Sequence, residues 1–240
     1  MPTHERPPTA DALTVLGAGQ VELEGRMPWS SNATFLVTVS HEGTAMRAVF
    51  KPHRGERALW DFPDGLYLRE VAAYEVSEAL GWRIVPETVL RLDGPLGTGS
   101  FQRFVDADFS QHYFTLLEDE RHRDALMVIA TFDLLINNAD RKSGHCLIDE
   151  GGRIWAIDNG LCFHEDPKLR TVMWDFAGQP VPARLVPDLE RLAAEPPPTL
   201  AGLIHDAEIE RLAARARAVA RRPVFPSPPD SHRAYPWPMV

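Results

Sequence analysis

Cysteine is scarce in this chain: only Cys146 and Cys162 occur among 240 residues, too few for a disulfide-stapled scaffold. A reducing, cytoplasmic setting is the expectation. No apolar run approaches the roughly 18 residues of a membrane helix, so no stable membrane insertion is expected. The opening MPTHERPPTADALTVL lacks the basic region and apolar core of a signal peptide. Positive charge is in deficit, with 25 Lys and Arg against 34 Asp and Glu. The resulting formal charge of -9 argues against nonspecific binding to nucleic acid or to an anionic membrane. No internal repeat is visible.

What is present suits a globular protein: 44% hydrophobic residues, enough to bury a core. The length allows one large domain or two small lobes around a cleft. Residues 1–10 and roughly 223–240 are rich in proline and polar residues and read as tails or surface-hugging segments, the first a flexible N-terminal segment and the second a proline-rich tail. Between them the first half reads as strands near 21–24, 34–40, 45–51, 87–92 and 100–105, with one helix in LYLREVAAYEVSEALG. The second half opens with RHRDALMVIATFDLLI, a helix apolar on most sides. Two strands near 146–149 and 153–157 follow, joined by the hairpin signal EGG, and amphipathic helices near 183–194 and 200–222 close the chain. The plan is α+β, with a strand-rich N-lobe to residue 105 and a helical C-lobe over 106–222.

Polar groups cluster where apolar segments stop. Asp140 follows the buried helix among Asn137, Asn138, Arg141 and Lys142; asparagine capping and a surface turn are the plain alternative. Asp158 ends a strand before Asn159-Gly160, which also reads as a simple turn. Two carboxylates at the ends of buried elements, joined by a hairpin, are expected on one side of the lobe. Such a pair suits a nucleotide–metal complex, one carboxylate orienting a nucleophile and the other holding a cation. Lys51 leaves a strand and Glu70 lies early in a helix; each alone reads as a solvated charge, and together they can form an ion pair that aims the ammonium at phosphate.

The series Lys51, Glu70, Asp140-Arg141 and Asp158-Asn159-Gly160 resembles the phosphatidylinositol 3-/4-kinase superfamily and its HipA-like bacterial relatives. It is similar to a group of small actinobacterial proteins of that superfamily, over roughly residues 20–180. The resemblance implies a two-lobed protein-kinase-like fold with a nucleotide cleft, using ATP and Mg²⁺ or Mn²⁺. It implies that Lys51 contacts phosphate, that Glu70 holds Lys51, and that Asp140, with Arg141 beside it, carries catalysis. Asp158 would be the main metal ligand. The turn GRMPWSSNA would cover the phosphates through backbone N–H groups, Ser30, Ser31 and Asn32. Gln102, Phe104 and Val105 would belong to the hinge that reads adenine.

Two positions depart from the family pattern D-R-H-x-x-N. Lys142 stands at the histidine, and His145 at the metal-binding asparagine. An imidazole there either ligates a metal, with a preference for ions softer than Mg²⁺, or packs at the strand start. A zinc site from His145, Cys146, Cys162 and His164 is disfavoured, because adjacent strand residues point to opposite faces and no C-x-x-C pair exists. Arg211–Arg222 reads as a solvated helix face. Trp174 and Phe176 either stack on a ligand or pack. The expected activity is transfer of the ATP γ-phosphate to a hydroxyl, with a protein Ser or Thr favoured. The alternatives are a nucleotide-binding pseudokinase and a small-molecule or lipid kinase.

Overall fold

The structure is a computed structural model that describes residues 9–28, 32–229 and 234–239. The described chain divides into two compact units, within Met1–Val71 plus Pro86–Phe104 and within Ala72–Val85 plus Val105–Val240.

The first unit is built on a five-stranded antiparallel sheet. Its strands are β1 (Gln20–Arg26), β2 (Phe35–His41), β3 (Thr44–Pro52), β4 (Thr88–Arg91) and β5 (Gly99–Arg103), in the order β1-β2-β3-β5-β4. Alternation along the strands makes one face apolar: Val37, Val39, Ala48, Phe50 and Phe101 are fully buried. Phe50 and Phe101 are register partners whose rings stack at 4.4 Å. Helix α1 (Thr9–Ala18) packs Val15 and Leu16 into that core. The sequence reading assigns no helix here: it sets residues 1–10 apart as a flexible segment and begins the N-lobe at residue 11. The C-terminal carbonyls of α1 are held by Arg91, whose Nη1 donates to Leu16 O (3.2 Å) and Gly19 O (2.7 Å).

Because Phe50 faces the core, its neighbour Lys51 faces the other side of the sheet. Gly99 lies opposite Pro52 in the register, and a Cβ there would sit 2.5 Å from Lys51 O. Only glycine lets β5 approach that point. Helix α2 (Leu66–Ala79) crosses the unit boundary between Val71 and Ala72. The Glu56 carboxylate accepts hydrogen bonds from Gly65 N (3.1 Å) and Tyr67 N (2.6 Å), satisfying donors at the start of α2.

The second unit is helical. It contains α3 (Tyr113–Leu117), α4 (Glu120–Ile136), the strands β6 (Cys146–Ile148) and β7 (Ile154–Ala156), α5 (Val186–Ala194) and α6 (Asp206–Arg221). Helix α4 is the buried element its composition predicts, with Leu126, Ile129, Phe132, Leu135 and Ile136 fully enclosed. Asp119 caps its first turn and Asn137 ends it in the left-handed conformation (φ 54°). The asparagine cap therefore exists alongside the loop that follows.

The last helix was expected from Leu200 but begins at Asp206, because a 3-10 turn at Pro198–Leu200 and a left-handed Gly202 (φ 82°) intervene. Its Leu212, Ala213 and Ala216 are buried while Arg211 stays solvated. The proline-rich tail hugs the surface in its described parts, with Phe225 and Ala234 buried. Among the described residues no helix is long and apolar enough to cross a membrane.

Candidate functional site

In the first unit, the Lys51 ammonium and the Glu70 carboxylate form a direct ion pair. Glu70 is almost completely enclosed, and Lys51 retains partial access to solvent. A buried carboxylate with this partner fixes the direction of the lysine side chain. Asn32 Oδ1 accepts the Arg57 backbone N–H at 3.0 Å, which ties the described end of the β1–β2 link to the chain after β3. Ser30 and Ser31 lie outside the described residues.

The expected hinge residues fall at the end of β5. The Gln102 side chain is buried and donates to Thr88 Oγ1 (2.9 Å), so it braces the sheet. Phe104 N donates to Arg47 O (3.0 Å), and its ring lies under the Arg47 guanidinium at 4.5 Å. Val105 opens the second unit and packs with Leu147 and Trp155.

The second unit carries the carboxylates. The β6–β7 hairpin pairs Cys146 with Ala156, and Ile157 N donates to His145 O (3.0 Å). This return of the chain brings Asp158 beside the loop that bears Asp140. Asp158 adopts the left-handed conformation (φ 57°), uncommon for a non-glycine residue and typical of functional turns. Its Oδ2 lies 3.3 Å from His145 Nε2. Asp140 meets Lys142, whose Nζ is 2.6 Å from Oδ2. Burial pushes the Asp140 carboxyl above its ordinary value; the hydrogen bond and charge of Lys142 oppose this, and the negative charge of Asp158 adds to it.

Beneath them lies a buried polar network. The fully enclosed Arg141 guanidinium clasps Asp133 of α4, with Nε to Oδ2 and Nη2 to Oδ1 both at 2.9 Å. It also donates to Asn159 Oδ1 and to Ile157 O, each at 2.7 Å. Asn138 Nδ2 donates to Asp133 Oδ1 (3.0 Å), while Asn138 Oδ1 accepts the Asp140 N–H (2.9 Å). One guanidinium thus joins the buried helix, the Asp140 loop and the Asp158 turn. Arg141 was expected among the catalytic residues; its enclosed position makes it a positioning residue.

Sequence patterning misses Asp133, and it names Asn138 and Asn159 beside the carboxylates without their part in this network. The available signal was the lone acid in MVIATFDLLI, since a carboxylate inside a buried helix demands a cation. Lys142 as the partner of Asp140 was also missed. Of the two aromatic candidates, Phe176 packs, buried beside Tyr113 and Phe225, whereas Trp174 is half-buried with its Nε1 donating to Ala234 O (3.0 Å). Both cysteines are buried, and enclosure pushes the Cys146 thiol up to about 12. Among the described residues no group of three or more His, Cys, Asp or Glu side chains is arranged to hold a metal.

Compared with known proteins, the chain is 40% identical to Protein Rv2133c of Mycobacterium tuberculosis (strain ATCC 25618 / H37Rv) over 269 aligned positions, covering 95% of each. This chain belongs to the family of Protein Rv2133c. No family model matches it. Among solved structures, that of hydra Fam20 with sugar aligns over 91% of this chain and 89% of that one, with a TM-score of 0.53 and 13% identity. The Helicobacter pylori proinflammatory kinase CtkA aligns over 87% and 94%, with a TM-score of 0.47 and 12% identity. The likeness to Fam20 is one of fold, and this member of the Rv2133c family has the kinase-like α+β fold: an antiparallel-sheet unit and a helical unit.

Proposed function

We propose that this chain is an ATP-dependent phosphotransferase of the atypical kinase type, related to the phosphatidylinositol 3-/4-kinase and HipA-like enzymes. The observation that carries the reading is the pair Asp140 and Asp158, brought together by a hairpin and braced from below by Arg141. The kinase-like fold supports it.

Each residue then has a task its surroundings suit. Asp140 orients the acceptor hydroxyl and takes its proton. The Lys142 ammonium, already at the Asp140 carboxylate, offsets negative charge as the proton moves. Lys51, aimed by Glu70, binds phosphate oxygens. The partly exposed Asp158 carboxylate fits Mg²⁺ or Mn²⁺, ions bound by one or two carboxylates with substrate phosphate and water completing the shell. When bound, such an ion neutralises phosphate charge.

A protein Ser or Thr hydroxyl is the proposed acceptor. The test is transfer of labelled γ-phosphate from ATP in the presence of Mn²⁺ or Mg²⁺, followed by a phosphoproteomic comparison of cells carrying wild type or Asp140→Ala. Label in protein that depends on Asp140 supports the reading; label confined to lipid or small molecules moves the acceptor class. A second reading, nucleotide binding without turnover, is favoured by the ammonium seated on Asp140. Calorimetry separates the two: ATP heats without hydrolysis or transfer would select the pseudokinase.

A further inference from the structure

His145 touches the candidate cation ligand, and its two ring nitrogens decide what it does there. Nδ1 faces the Lys142 backbone N–H at 3.3 Å and accepts a hydrogen bond from it. A backbone N–H only donates, so Nδ1 presents its lone pair. In the neutral ring the proton therefore resides on Nε2. Nε2 lies 3.3 Å from Asp158 Oδ2, an acceptor. Ligation through Nε2 would need the opposite tautomer, which sets Nδ1–H against Lys142 N–H, two donors face to face. Ligation through Nδ1 would need the ring to leave the 3-10 turn Ser143–His145 that it closes.

We infer that His145 is a positioning residue that holds the Asp158 carboxylate through its Nε2–H and is not itself a cation ligand. The inference rests on the phosphotransferase reading and deepens it. The cation is held by oxygen alone: carboxylate, phosphate and water. The backbone gives the imidazole its purpose. Asp158 stands in a left-handed turn with its side chain about half exposed, and the imidazole fixes its rotamer from one side. The same ring joins the Asp140 loop to the Asp158 turn at the surface, as Arg141 joins them in the interior.

The test uses the full chain with Mn²⁺ and a non-hydrolysable ATP analogue, read by electron spin-echo spectroscopy and by Mn²⁺ titration. The expected wild-type spectrum has no coupling from a directly bound imidazole nitrogen. His145→Gln, whose amide N–H can still donate to Asp158, is expected to keep Mn²⁺ affinity within about threefold, while His145→Phe weakens it about 10-fold or more, as loss of an outer hydrogen-bond partner does. An imidazole coupling in the wild type that vanishes in His145→Gln overturns the inference, as does unchanged affinity in His145→Phe. If His145→Phe does not fold, the wild-type spectrum and His145→Gln still decide. Should the wild type bind no Mn²⁺–nucleotide complex, the phosphotransferase reading falls and this assignment with it.

Discussion

Arg141 is the residue on which the second unit turns. Its guanidinium is fully enclosed and meets one carboxylate, one side-chain amide and main-chain carbonyls. Removing one partner of a buried ion pair leaves the other charge stranded. Arg141→Ala is therefore expected to destabilise the fold by about 3–5 kcal/mol in chemical denaturation, with Asp133→Ala comparable. Lys142 poses a subtler case. Burial raises the Asp140 carboxyl and Lys142 opposes that rise. A base with a raised pKa is ionised only above its ordinary titration range, so activity should climb with pH through a range above that of a free carboxylate. Lys142→Met removes the opposing cation, so the rising limb of kcat/KM should move to still higher pH. A limb that stays in place or moves down would show that Lys142 does not act on Asp140. The sequence places Arg141 beside Asp140 as a catalytic residue and Lys142 at the family's histidine position; neither the enclosure of the first nor the contact of the second with Asp140 is legible there. Burial and direction are tertiary facts, and composition does not carry them.

At the scale of elements, most of the plan was legible because periodicity records which face is buried. The sheet strands and α4 stand within a few residues of their patterned positions. Helix α1 was hidden by a proline-rich start, and its role shows only where Arg91 reaches its carbonyls. The sequence marks 223–240 as a proline-rich tail or surface-hugging segment and says nothing of its contacts. Arg170 N donates to Asn138 O (2.9 Å), Arg141 N to Arg170 O (3.0 Å) and Val172 N to Arg141 O (3.1 Å), so a second strip of chain flanks the Asp140 loop. The tail then backs both strips, with Thr171 N donating to Ala234 O (3.2 Å) and Ser143 N to Met239 O (2.9 Å). Deleting residues 234–240 strips acceptors from enclosed donors, each worth about 1–3 kcal/mol. With two donors stranded and about 2–4 °C per kcal/mol for a chain of this size, the thermal midpoint is expected to fall by about 4 °C or more. A midpoint unchanged by the deletion would mean that the tail does not brace the loop.

For the molecule as a whole, the sequence reading and the structure agree on the kinase-like α+β class, and membership in the Rv2133c family sets the chain among close relatives. Half of the candidate site was legible, since Asp140 and Asp158 each end an apolar run and a hairpin signal lies between them. The supporting half was not, because it depends on a lone acid in α4 finding an arginine eight positions later, a pairing that no periodicity announces. What the whole chain is proposed to do comes down to whether Asp140 carries phosphoryl transfer. The direct measurement is the initial rate of γ-phosphate release or transfer by wild type and Asp140→Asn, at nucleotide occupancies matched by calorimetry, with thermal melting to show that both are folded. The expected result is turnover in the wild type and a loss of at least about 100-fold in Asp140→Asn, the scale of a general base. Equal rates in the two folded proteins, or no turnover in either, would contradict it.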